Sequence, residues 1–496
     1  MKDDSIIIEA PRVGIAQSPH VGNADVRNLD IFSIPGVARL NTIASKKSST
    51  TVTAFITWTV RHPIDPTQIY AIDNAGTVYK SSDTGATWAV LTGTSSTNAH
   101  GNGLAIWKNY LFVARDTNLD VCGDGTSSGI TSGNWTLGWK TIDSDVLWHP
   151  MITSKLDTKL YGGAGKYIFT LEEANGTTFA PGNSATFNWS YRALGTIPTG
   201  YRVKCLEELG NNLFIGTWQG TNIYDIRDAT IFVWDGNAST YGQPIIIDDY
   251  GVHAMKNIGN SVIVLAGING TVRKTDGVNT YIIGQIPTDL SGGKYLEFYP
   301  SAICSYKNKV FFGTGNGGST AIGGQGVYSL EQTGKGNILN LEHLNSSLTD
   351  GSVASVKISA LIPITRDTLL FASQYNGSTY GIDLTSATSY AYSTNYSGYF
   401  DTPLFKVGTP LNKRTFAQIE FQFAKPLATG EGIQLSYRNN LNDSFTTIGS
   451  YTYSTIGAKL SYTTRANIPE CEFVQVRVGI LGTSTTTPQF KSVTLR

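Results

Sequence analysis

The sequence predicts an all-β protein: a β-propeller of about seven blades, six being the smaller count, followed by a C-terminal antiparallel β-sandwich. Three observations predict it. A strand-like pattern returns about every 50 residues, no helical stripe persists for three turns, and strict two-residue alternation begins after residue 399.

The chain divides into an N-terminal docking arm (1–45), the propeller (46–398) and the sandwich (399–496). The arm carries scattered Pro, Gly and polar residues without periodicity, so it has no core of its own and should gain order by docking on the propeller or on a neighbour.

In the propeller, a polar turn followed by an apolar run recurs. Its anchors are Ile69, Leu111, Leu160, Leu213, Val262, Val310 and Leu369, spaced 42 to 59 residues apart with a mean of 50. One four-stranded sheet cannot bury both of its faces, so blades at this period stack radially and cover one another. A second run follows each anchor, as in Gly76–Lys80, Lys166–Phe169, Thr221–Tyr224, Gly270–Arg273 and Gly326–Ser329.

The sandwich reads from its alternation. Ile419, Phe421 and Phe423 alternate with Glu420 and Gln422. Ile433, Leu435 and Tyr437 alternate with Gln434 and Ser436. Val474, Val476, Val478 and Ile480 alternate with Gln475, Arg477 and Gly479. Such strands bury one face each.

Composition narrows the function. Lys+Arg and Asp+Glu are both 37, and charged residues are only 15%. This balance supplies no basic field for nucleic acid and no polybasic membrane signal. No apolar run approaches the ~18 residues of a membrane helix. Met1–Glu9 lacks the character of a secretory signal. The four cysteines, Cys122, Cys205, Cys304 and Cys471, are too dispersed for a zinc site or a disulfide framework, so they are expected as reduced core thiols.

One motif is sharp. Ser81-Ser82-Asp83-Thr84-Gly85-Ala86-Thr87-Trp88 fits the Asp-box pattern Ser-x-Asp-x-Gly-x-Thr-Trp. Asp83 should tie a hairpin turn through backbone N–H groups, Gly85 should supply a positive φ, and Trp88 should pack inside the blade, with Ser81 opening the turn. Gly313-Thr314-Gly315-Asn316-Gly317-Gly318 matches Gly-x-Gly-x-x-Gly, but a strand pattern follows where a dinucleotide site needs a helix, so a flexible hairpin loop is the expected reading. Asp116, Asp120 and Asp124 offer oxygen ligands to calcium, without EF-hand spacing; a solvated loop is the expected reading. Asp248-Asp249 reads as a turn, and the six histidines lack metal spacing. No catalytic residue and no cofactor are expected. Trp135, Trp139 and Trp218 lie beside Asn, Gln and Gly. They are read first as blade packing and otherwise as glycan contacts.

The stretches Gly14–Pro19, Ala24–Asp30 and Ser33–Val37 resemble the opening of tailed-bacteriophage virion propellers. Thr402-Pro403-Leu404-Phe405-Lys406 resembles the segment leading from propeller to terminal sandwich in phage tail hub and nozzle proteins, and Thr487–Arg496 is similar to the last strand of phage minor tail proteins. The resemblance implies a non-enzymatic structural protein of the virion, assembled in the host cytoplasm as a symmetric homo-oligomeric ring. Its partners would be other tail proteins and a host surface glycan. The alternatives are a carbohydrate-binding adhesin propeller and a glycan-degrading propeller enzyme. The Asp box resembles those of glycosidase propellers, but no arginine cluster accompanies it.

Overall fold

The computed structural model describes residues 5–10, 25–34, 36–47, 52–92, 103–144, 147–173, 187–220, 225–286, 295–317, 325–333, 336–343, 356–375, 379–390 and 398–496. Among them the only helix is the single turn Tyr453–Ile456. The chain forms two compact units. One comprises 46–326 and 353–384; the other comprises 1–45, 327–352 and 385–496.

The first unit is the propeller. Five four-stranded antiparallel meanders open with Ile56–Arg61, Gly103–Trp107, Met151–Thr153, Tyr201–Leu209 and Val252–Ile258. A sixth sector pairs Ile303–Tyr306 with Lys309–Gly317, and a seventh pairs Lys357–Pro363 with Leu369–Tyr375 and Thr379–Thr385. Seven sectors are therefore present among the described residues. Every anchor sits at the first or second position of the second strand of its sector, and all seven are buried. The preceding polar text makes the hairpin turn. Lys108 and Asn109 have φ of 51° and 61°, and Lys307 and Asn308 have 50° and 60°. Two positive φ values in a two-residue loop match the twist of the strands they join.

Neighbouring blades share their cores. Tyr70, Ile72 and Val78 of the first blade pack with Leu104, Leu111 and Val113 of the second. Phe112 and Leu119 of the second pack with Leu160 and Phe169 of the third. The third meets the fourth through Ile168, Leu194, Ile215 and Phe232, and the fourth meets the fifth through Phe214, Ile231, Val252 and Val264. The ring closes because Ile56, Ile69 and Trp88 of the first blade share one cluster with Ala360, Leu370 and Ile382 of the seventh. One bond crosses the same seam, Arg61 Nη1 donating to Pro363 O (3.2 Å), and Lys47 N–H donates to Ile382 O (2.8 Å) of the seventh blade. The strand expected at Thr221–Tyr224 lies outside the described residues, and the third strand of that blade is Ala229–Trp234.

The second unit is a sandwich with the expected inward faces. Ile419, Phe421, Ile433, Leu435, Val474, Val476, Val478 and Ile480 are all fully buried in one core. Gln475 departs from the alternation rule, because it is buried as well. Its side-chain NH₂ donates to Thr402 O (2.7 Å), and its Oε1 accepts from Arg438 Nε (2.6 Å). The strand Phe473–Leu481 lies between Gly432–Arg438 and Gly398–Asp401, and an amide buried at Gln475 needs a partner for both its donor and its acceptor.

The described parts of the N-terminal region do more than dock. Ile6–Glu9 pairs antiparallel with Phe490–Leu495, and Asp25–Arg27 pairs with Gly398–Asp401. Leu29–Asp30 and Arg39–Leu40 form a hairpin, and Val26, Leu29, Ala38 and Leu40 are buried in the sandwich core. The strands between residues 25 and 40 thus belong to a core of this same chain. These strands are two to four residues long, too short for alternation to register in the sequence. Residues 327–352 and 385–398 also group with the sandwich.

Candidate functional site

The Ser81–Trp88 turn is a closed hydrogen-bond system. Ser81 Oγ donates to Asp83 Oδ1 (2.8 Å) and accepts from Gly85 N–H (2.9 Å). Asp83 also accepts from the Thr87 N–H (2.8 Å) and hydroxyl (2.5 Å). Trp88 Nε1 donates to Gly85 O (3.1 Å), and its ring lies in the core shared by the first and seventh blades. Gly85 has φ of 90°, and a Cβ there would stand 2.5 Å from Leu370 Cδ1. The polar side chains of Ser81, Asp83 and Thr87 all serve the turn.

The tryptophans fall mostly inside. Trp218 is fully buried with the Arg202 guanidinium 5.3 Å above its ring, which removes it as a glycan contact. Trp139 is half-buried, edge-on to Phe112, Phe187 and Trp189. Trp135 is half-buried and donates to Thr92 O (3.1 Å). The Lys140 ammonium lies 5.0 Å above the Trp139 ring.

The three aspartates of the calcium reading are used separately. Asp116 Oδ1 accepts from Ser144 Oγ (2.5 Å), and Asp124 Oδ1 accepts from Thr126 N–H and hydroxyl. Asp120 is buried in an ion pair with Arg115 (2.9 Å) and accepts from Gly138 N–H (2.7 Å). Asp248 is exposed beside Arg227, while Asp249 is buried. The Gly313–Gly317 run is strand, and its glycines answer to packing. A Cβ on Gly313 would lie 2.4 Å from Ile358 Cγ2, and one on Gly315 would lie 2.9 Å from Lys357 Cα. Gly318 of the motif lies outside the described residues. All four cysteines are free and buried.

A cluster that the sequence did not disclose lies at the propeller axis. The first strands of the first, fourth, fifth and seventh blades are bulged at Thr57, Lys204, His253 and Ser359. A bulge adds one residue on one strand and re-aims its side chain. Lys204 Nζ lies 2.6 Å from His253 Nδ1, 3.4 Å from Phe298 O and 5.2 Å from the Trp148 ring centre. Trp148 in turn packs with Tyr299 and Ala302, and with Phe55 and Trp58. These residues come from the third, sixth and first blades, which are not neighbours in the ring, so they can meet only at its centre. Tyr299 hydroxyl donates to Glu297, which is paired with Lys357 (3.0 Å). Burial holds the Lys204 amine down to about 7, against the weaker pull of Cys205 and Glu297. Burial and the adjacent Lys204 hold His253 well below its ordinary range. The pair therefore links the fourth blade to the fifth as an amine donating to a neutral imidazole. No sequence spacing announces it, because residues 204 and 253 become neighbours only through the ring.

No family model matches the chain, and no curated protein matches it. Among solved structures, the chain is similar to the β-propeller domain of Cps50 (Swd1) from Myceliophteria thermophila. The identity is 12% over 69% of this chain and 99% of that one, with a TM-score of 0.44. It is similar to YCF48 bound to D1 peptide, at 12% identity over 75% of this chain and 100% of that one, with a TM-score of 0.45. It is also similar to the RRP9 WD40 repeats, at 10% identity over 70% of this chain and 99% of that one, with a TM-score of 0.44. Among the described residues no group of three His, Cys, Asp or Glu could hold a metal ion, and no helix is long and apolar enough to cross a membrane.

Proposed function

We propose that the chain is a non-enzymatic structural component of a bacteriophage tail, of the hub, nozzle or tail-tip kind, located in the virion as a symmetric homo-oligomeric ring. The propeller serves as a rigid scaffold, and the sandwich serves as the mounting for neighbouring tail proteins. One observation carries this reading: the described parts of the stretches that resemble phage tail proteins are hydrogen-bonded within one compact unit. Immediately after Ser33–Val37, Ala38 N–H donates to Phe490 O (2.9 Å) and Leu40 N–H donates to Thr487 Oγ1 (2.9 Å). Asp25 pairs with Asp401, and the adjoining Thr402 accepts through Oγ1 from Val476 N–H (2.9 Å). A shared textual pattern whose parts build one structure supports a common mounting role better than scattered chance matches would. In this reading host-glycan contact falls to Trp135 and Trp139.

Tailed particles purified from a lysate test the proposal. Mass spectrometry should find the chain in them, and electron microscopy with a bound antibody fragment should place it in a symmetric ring at the tail. Its absence from intact particles would overturn the reading. Turnover of sialosides or polysaccharides, abolished by one carboxylate substitution, would overturn the non-enzymatic part.

A further inference from the structure

Between the third and fourth blades the turns leave a surface cleft of about 290 Å³. The third blade contributes the turn before Leu160–Ala164 and the floor residue Tyr161. The fourth contributes its first hairpin turn and the turn that follows Ala229–Trp234. Three lining residues, Asp157, Glu208 and Asp235, are carboxylates and none is basic, in a chain whose total charge balances to zero.

Each carboxylate is fixed in direction by one or more donors. Asp157 accepts from the Tyr161 hydroxyl (2.6 Å) and the Lys159 N–H (3.2 Å). Glu208 Oε2 accepts from Lys155 N–H (3.1 Å), and Asp235 Oδ1 accepts from the N–H groups of Asn237 (2.9 Å) and Ala238 (2.8 Å). Glu208 Oε1 and Asp235 Oδ2 have no protein donor among the described residues. The Lys159 ammonium is shared between Asp157 (3.6 Å) and Glu172 (3.3 Å), and neither Lys159 nor Lys155 lines the cleft. Hydrogen bonds hold Asp235 below the ordinary carboxylate range. At Asp157 burial works the other way but is outweighed by Tyr161 and Ser154. Both are ionised at neutral pH. The floor is kept open by Gly236, where a Cβ would stand 2.6 Å from the Tyr161 hydroxyl. Leu213 and Leu156 add apolar surface.

We propose that this cleft receives an arginine side chain presented by a partner polypeptide. Charge complementarity selects a cation and repels anionic ligands. The volume lies at the lower end of small-ligand pockets, enough for one long side chain. The acceptors converge from three turns, which suits a planar fork of five donors better than a point ammonium, and the leucines suit its aliphatic stem. The inference is independent of the tail assignment.

The test uses the full chain, with N-acetyl-arginine N-methylamide as the probe and the citrulline analogue as its uncharged isostere, followed by calorimetry or amide NMR. The arginine probe should bind saturably at millimolar concentration, at least tenfold tighter than the citrulline analogue. Glu208→Gln together with Asp235→Asn should weaken it at least tenfold. Equal binding of the two probes, or no saturable binding of the arginine probe, would overturn the proposal. The comparison of probes needs no variant and so survives a variant that fails to fold. Agmatine, a free amine bearing the same guanidinium, should bind no more than tenfold tighter. A larger preference would make the ligand a small amine and remove the polypeptide partner.

Discussion

At the scale of single residues, the polar side chains with the most partners hold turns. Asp83 gathers Ser81 and both donors of Thr87. Asp83→Ala should cost about 1–2 kcal/mol of stability, the usual price of a lost hydrogen-bonded turn, and leave any ligand binding intact. Unchanged denaturant unfolding with lost binding would reverse that assignment. Asp30 is the acid-sensitive counterpart in the sandwich. Its burial opposes ionisation, but Ser33 N–H (3.0 Å) and the two-pronged Arg39 (2.9 and 2.7 Å) bring its carboxyl to about 2, against an ordinary 3.8. The depressed value means that Asp30 stabilises the fold above about pH 4 and loses that contribution as pH falls from 3.8 towards 2. Asp30→Asn should therefore cost about 2 kcal/mol at pH 7 and almost nothing at pH 2, as read from unfolding curves at both values. The Ser81–Trp88 turn was legible in the sequence because all its donors and acceptors lie within eight residues. The Asp30–Arg39 pair was not, since nine residues and a hairpin separate its members.

At the scale of elements, the second strand of each blade was the most legible feature. It is apolar on both faces, and in the second, fourth, fifth and sixth blades it follows a turn whose Asn or Gly has positive φ, so anchor and turn mark it together. The first strands were less legible, because bulges in four of the seven break the very alternation that would reveal them. The Gly313–Gly315 strand shows why a short motif misleads: its glycines admit the first strand of the next blade, not a phosphate. Gly313→Ala should destabilise the propeller by about 1–3 kcal/mol through overpacking against Ile358, measured by chemical denaturation. The axial amine gives these first strands a pH response. Between about 7 and the unfolded value of 10.5, the unfolded chain holds a proton on Lys204 that the native chain lacks, so stability climbs with pH across that window. Lys204→Met should remove the climb, with its advantage over the wild type greatest below pH 7. Parallel stability curves for the two proteins from pH 6 to 10 would show that the amine is not perturbed.

At the scale of the whole molecule, each unit has its own core, and the sandwich draws on both ends of the chain. Residues 46–384 expressed alone should melt cooperatively, because the first and seventh blades share one core. Residues 1–398 should instead bind a hydrophobic dye and self-associate, since Val26, Leu29 and Leu40 lose their cover. A monomeric, dye-silent 1–398 would show that the N-terminal region does not depend on the sandwich. The pairing of Ile6–Glu9 with Phe490–Leu495 also fixes an order of events. Ile6–Glu9 finds its neighbour only when the residues numbered in the 490s exist, so it waits through the synthesis of the strands between them. A local, blade-by-blade collapse can proceed meanwhile, whereas the sandwich must close a loop that spans almost the entire chain, a slow and late step. Until then the sheet that takes Ile6–Glu9 is unfinished, and any neighbour that reads this pairing can recognise only chains whose synthesis has reached Phe490–Leu495.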